Sequence, residues 1–393
     1  MFGQYFFSGA ALLFLGATLS GCDPISNQAE EDAILIGVAL PETGTLGSAG
    51  QAIIRGVHLA VNEHAAISGL TTALAFKNTN STAEGAAQAY RELASFENLP
   101  VIIGPLSSTA TEAVIPVVNE NEIVSVGPTS AKAGLSAQSK YLFRSSLTVE
   151  RIVPSGVRTA KENLTFRNVA TLHNAGDAFS VSSNELVTEE LRKYSDVNIV
   201  LEESYSRPPG TLISEADFAG PLDNILSGTP PVDAIFLSAL AEDQIAILPT
   251  AYGRGNTASF VAPFLSIAEV KTINRIEPGA AEGAVTFTVW LVNSPNDLSQ
   301  AFVRDYMRTY GVIPDDWAAR GYASTIILLE ALQRTSEYDP TSIRDALSGM
   351  HNFPTIFGGF SFNGDGDAVY DPAIAIVRDN DFVTWPVIGK RRF

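Results

Sequence analysis

The chain has 393 residues, with 43 acidic against 25 basic side chains, a formal charge of −18, four histidines and one cysteine. A single thiol excludes an intramolecular disulfide, a thiolate metal site and a CxxC redox pair. A surface this acidic repels nucleic acid and anionic lipid, and the length exceeds what one ordinary core organises, so two lobes and no nucleic-acid partner are expected.

Residues 1–21, MFGQYFFSGAALLFLGATLSG, carry no charged side chain and hold an apolar run of signal-peptide length that ends in small residues. Leu19-Ser20-Gly21-Cys22 then resembles the bacterial lipobox, in which a peptidase cuts before a cysteine that has received a diacylglycerol. The resemblance implies a lipoprotein signal peptide over 1–21 and attachment to the membrane through lipidated Cys22. Two or three acyl chains suffice for stable anchoring. The plain alternatives are an uncleaved membrane anchor and an unused thiol. Asp23 occupies a position that, in such lipoproteins, resembles a signal for retention in the inner membrane. Residues 22–32 are polar and acidic, as expected of a tether.

From residue 33 onward short apolar runs alternate with amphipathic stretches. AILIGVAL reads as a buried strand, and the run that follows places Ile53, Val57, Ala60 and His64 at helical spacing. The pattern repeats through LTTALAFKN, LPVIIG and EIVSVG, each paired with a helical stretch. A second series begins at RNVATLH and runs through VNIVLEESY, VDAIFLSAL and ASFVAPF. Strands alternating with helices predict parallel sheets covered by helices, here twice over. Two long helical stretches follow GAVTFTV with no strand between them, and the chain ends in strand-like pieces. That order requires the chain to cross between lobes more than once. The expected division is 33–147 plus 287–367 for the first lobe and 148–286 plus 368–393 for the second.

Familiar catalytic and cofactor patterns fail on spacing. Gly44, Gly47 and Gly50 form GxxGxxG, not the GxGxxG of a dinucleotide site. His58, His64, His173 and His351 lack ligand spacing, and no P-loop, HExxH or GxSxG occurs. NGDGDAVYD begins like a calcium loop, but Ile374 stands where the bidentate Glu belongs, so a turn is expected. No nucleophile, base and orienter can be assembled. The expectation is a binding protein, not an enzyme, without metal or cofactor.

At VIIGPLSSTATEAVIPVVNENEIVSVGPTSAKAGLSAQSKYLFRSSL, residues 101–147, the chain resembles the type I periplasmic solute-binding proteins of ABC transporters, the leucine/isoleucine/valine-binding family in particular. IGVALPETGTLGSAGQAIIRGVHLAVNE, GAAEGAVTF, RGYASTIILLEAL and GFSFNGDGD extend the likeness in the family's order over nearly the whole chain. The resemblance implies an α/β fold of periplasmic binding protein-like type I: two Rossmann-like parallel-sheet lobes joined by three hinge crossovers. It also implies a small organic solute in the cleft and delivery to an ABC permease at the outer face of the cell membrane. A lipoprotein of the same fold that works by protein–protein contact, such as a cell-wall synthase activator or sensor ectodomain, is the alternative.

Ser107, Ser108 and Thr109 follow a strand and open a helix, where free N–H groups and the helix dipole favour an anion. By resemblance Ser108 matches a carboxylate-binding serine and Thr129 a position whose carbonyl takes the solute ammonium. Phe179 and Trp317 match aromatics on either side of the ligand. Three positions depart from the family. A hydroxyl-bearing threonine becomes Ala131, with Ser130 as a substitute; the acidic partner of the ammonium becomes Phe264; a first-lobe aromatic becomes Ala49. A buried ammonium without a carboxylate is strongly penalised. Either Asp177, Glu242 or Asp243 supplies the charge, or the solute lacks an α-ammonium.

Overall fold

The computed structural model describes residues 33–208 and 210–386, so the expected signal peptide, Cys22 and the tether lie outside the described residues. The first lobe is built on five parallel strands, β1 (Ile34–Leu40), β2 (Thr72–Asn78), β3 (Val101–Ile103), β4 (Val124–Gly127) and β5 (Leu142–Arg144), in the order β2-β1-β3-β4-β5. The helices α1 (Gly47–Ser68), α2 (Ala83–Ala94) and α3 (Ser108–Asn121) connect them. Ile36, Val38, Ile102, Val124 and Val126 are buried in its core, as β-branched residues of a sheet covered on both faces should be.

After β5 the chain enters the second lobe at α4 (Val149–Leu164). It continues through β6 (Asn168–Asn174), α5 (Ala178–Leu191), β7 (Asn198–Tyr205), α6 (Glu215–Ser227), β8 (Ala234–Ser238), α7 (Ala241–Gly253), β9 (Ser259–Val261), α8 (Ile267–Ile276) and β10 (Val285–Thr288). With the terminal strands β14 (Ala373–Arg378) and β15 (Asp381–Trp385), the seven-stranded order is β15-β14-β10-β9-β8-β6-β7. β10 pairs in this sheet through Thr288, so the return crossing follows 288, not the expected 286. The terminal strands β14 and β15 add antiparallel pairs at one edge of this otherwise parallel sheet. Their hairpin turns on Asp379 and Asn380, both at positive φ, 51° and 65°. Asp and Asn tolerate the left-handed region that such a two-residue turn demands.

Between the second and third crossings α9 (Asp297–Tyr310), α10 (Asp316–Arg334) and α11 (Pro340–Ser348) are followed by a small antiparallel sheet of β11 (Phe353–Thr355), β12 (Gly358–Phe362) and β13 (Ala368–Val369). The calcium-like sequence is a turn: Asn363 Oδ1 accepts the N–H of Asp365 at 3.0 Å and of Asp367 at 2.8 Å. Its fifth residue is structural, because Asp367 pairs at 2.7 Å with Arg144, which is fully buried at the end of β5. Among the described residues no group of His, Cys, Asp and Glu suits a metal ion, and no helix is long and apolar enough to cross a membrane.

Candidate functional site

The eight cleft residues expected from the sequence surround one cavity: Ser107, Ser108, Thr129, Ser130 and Ala131 from the first lobe, Phe179 and Phe264 from the second, and Trp317 from α10. Each lobe contributes the segments that follow the carboxyl ends of its parallel strands, where open α/β sheets leave a crevice. Leu106, Ala239, Leu240, Ala241, Gln244 and Arg320 complete the wall and were not read from the sequence.

The first-lobe wall is organised around the start of α3. Ser107 is its N-cap, accepting the N–H of Ala110 at 3.1 Å. Ser108 Oγ accepts the N–H of Lys132 at 3.0 Å, that of Ala131 at 3.2 Å and the Ser130 hydroxyl at 3.4 Å. With its lone pairs so engaged, Ser108 retains its own proton for a ligand acceptor. Thr129 is committed elsewhere, since its hydroxyl donates to the carbonyl of Leu106. A hydroxyl donor at a helix N-terminus suits a carboxylate.

The second-lobe wall is aromatic. Phe179 lies in the first turn of α5, and its ring centroid is 5.7 Å from that of Phe264. Phe264 takes a φ of 58°, costly for a bulky side chain, and is held there by its N–H bond of 3.0 Å to the carbonyl of Phe287. The Arg320 guanidinium stacks 4.5 Å from the Phe264 centroid and 5.1 Å from that of Trp317.

None of the three carboxylates named from the sequence lines this cavity, although Glu242 lines an adjoining pocket that shares Ala241 and Trp317 with it and keeps Oε2 without a partner. Asp177 caps α5, accepting from the N–H and hydroxyl of Ser180 at 2.8 Å, and takes the Thr109 hydroxyl of the opposite lobe at 3.1 Å. Glu242 and Asp243 both hold Arg207, and Asp243 also accepts from Tyr205 at 2.7 Å. Burial pushes all three carboxyls above their ordinary values. Among the described residues that line the cavity, the one charged group is Arg320.

A family model for periplasmic binding proteins matches residues 33–381. The chain belongs to the periplasmic binding protein family. It is 23% identical over 376 residues to Leu/Ile/Val-binding protein homolog 2 of Brucella abortus (strain 2308), covering 92% of this chain and 94% of that one. A leucine binding protein from Thermotoga maritima is similar in structure with a TM-score of 0.81 at 22% identity, covering 91% of this chain and 99% of the other. A solute binding protein of an ABC transporter from Rhodopseudomonas palustris BisB5, in complex with 3,4-dihydroxy benzoic acid, gives a TM-score of 0.79 at 21% identity, with coverage of 92% and 99%. These structures share the type I periplasmic binding protein fold with this chain.

The lobes of this periplasmic binding protein touch across the cleft. Thr109 meets Asp177, the N–H of Ala133 donates to Ser182 Oγ at 3.2 Å, and the Trp317 indole donates to Glu269 at 3.1 Å. Glu269, in a capping box with Ser266 at the start of α8, is pushed up to about 7 by burial and by neighbouring Asp316. Because this folded value exceeds the ordinary carboxyl value of 4.5, the native state binds more protons between pH 4.5 and 7, and the carboxyl's contribution falls as pH rises through that window. We therefore expect Glu269→Gln to match the wild type near pH 5 and to melt at higher temperature above pH 7. Melting curves across that range check this; a constant offset at all pH values would contradict it.

Proposed function

We propose that this chain is the solute-binding receptor of an ABC importer, that it works outside the cytoplasm on a lipid anchor at Cys22, and that it captures a small organic carboxylate without an α-ammonium group. One observation carries the choice of ligand: the cavity offers a hydroxyl at a helix N-terminus for a carboxylate, and no acidic side chain for an ammonium. One structural neighbour is a leucine binding protein and another is in complex with 3,4-dihydroxy benzoic acid, so the fold is compatible with both classes and the cleft residues decide. The solute binds the first-lobe wall at Ser108, and the second lobe closes over it with Phe179 and Phe264. It drives closure by its greater affinity for the closed state.

A panel of amino acids, aliphatic acids, amides and aromatic acids, read by the melting temperature of the purified protein, tests this. A solute at 100 times its Kd stabilises the native state by about 2.7 kcal/mol. We expect shifts from acids that lack an α-amino group. Stabilisation by amino acids alone would refute the ligand assignment, and stabilisation by none of the panel would count against the receptor role.

A further inference from the structure

We infer that Gln244 and Arg320 read a hydroxyl on the bound acid, so that the cleft selects a hydroxylated aromatic carboxylate; this rests on the carboxylate reading above. Gln244 belongs to the first turn of α7 in the second lobe and is 1% exposed. Its Nε2 donates to the carbonyl of Ala239 at 2.9 Å and to that of Pro263 at 3.2 Å. These two carbonyls fix the amide's orientation, since the flipped amide would set oxygen against oxygen. Oε1 is left buried with no partner.

Arg320 reaches the same cavity from α10 and is also 1% exposed. Its Nη2 bonds Asp316 at 2.7 Å and Thr288 at 3.4 Å, while its Nε is buried with no partner. Of the buried side-chain atoms without a partner among the described residues, these are the two whose residues line this cavity. Buried polar groups are ordinarily hydrogen-bonded, so one orphan acceptor and one orphan donor on residues that line the same cavity describe what the ligand must supply.

A hydroxyl both donates and accepts and can answer both groups. An ammonium donates only, and the guanidinium repels it. A methyl group in that place leaves both atoms unpaired. The rings of Phe179, Phe264 and Trp317 line the same cavity, which favours a flat aromatic ring over a branched aliphatic chain.

The test is calorimetry on the purified protein with benzoate, 3- and 4-hydroxybenzoate, and 3- and 4-methylbenzoate, which match the hydroxy acids in shape without their hydrogen bonds. At least one hydroxybenzoate should bind about tenfold or more tighter than both benzoate and the methyl compound substituted at the same position. Gln244→Met should bring that pair to within about threefold of each other. The wild-type ranking stands by itself should the variant fail to fold. Methylbenzoates that bind as well as the hydroxy acids, or a set in which no benzoate binds, would overturn the hydroxyl assignment. The carboxylate reading is judged separately by 4-methylpentanoate against leucine: it survives if the acid binds and leucine does not, and falls if only leucine binds.

Discussion

Gly321→Val lowers the stability of this protein by about 3 kcal/mol or more. The reason is the contact between α1 and α10, where two glycines let the helix backbones touch. A Cβ on Gly321 would lie 2.2 Å from the carbonyl oxygen of Ile53, and one on Gly56 would lie 2.1 Å from that of Ala318. Both obstacles are backbone atoms, so no rotamer change relieves them, and the helices must separate. Trp317 and Arg320 lie within one turn of Gly321, so the cleft wall moves with the helix. A shift of the denaturant midpoint checks the prediction, with Gly253→Ala as control because nothing lies within 4 Å of a Cβ there. A midpoint unchanged in Gly321→Val would mean that the crossing is looser than the structure has it.

Ser108→Ala lowers affinity for a carboxylate about 100-fold. The hydroxyl's own proton is the donor to the ligand, and its oxygen also fixes the 130–132 loop through the N–H groups of Ala131 and Lys132. Alanine removes the donor and leaves two N–H groups without their acceptor. Ser107→Ala acts differently, since Ser107 spends its oxygen on the helix cap. Losing that cap costs about 1 kcal/mol of stability with a much smaller change in affinity. Titration calorimetry and melting on both variants separate the two serines; equal affinity losses would contradict the division of labour.

The fold was legible because its signals are local. Strand runs such as VIIG and helical spacing in α1 recur in order, and the late helices without an intervening strand announced a return crossing. The antiparallel β14–β15 hairpin was less visible, although Asp379-Asn380 carried its turn signal. In the cleft, hydroxyls after a strand and at a helix start pointed to Ser107 and Ser108. Arg320 was not legible for a physical reason. An Asp316–Arg320 pair at i,i+4 reads as a solvated helix face, whereas here both partners are buried and the guanidinium lies on two aromatic rings. Gln244 was hidden likewise, because only tertiary structure brings Pro263 and Ala239 to its amide nitrogen and strands its oxygen. Asp177, Glu242 and Asp243 offered charge in the sequence, but the fold spends them on a helix cap and on Arg207.

The central claim is that the cleft binds a carboxylate and has no place for an α-ammonium. Calorimetric titration of the purified protein with 3-phenylpropanoate and with phenylalanine, which differ only by that group, addresses it most directly. Burying an ammonium beside Arg320 with no carboxylate partner costs several kcal/mol, so the deaminated acid should bind about 100-fold tighter or more. Phenylalanine binding as tightly as 3-phenylpropanoate, or tighter, would contradict the claim and return the ammonium to the site.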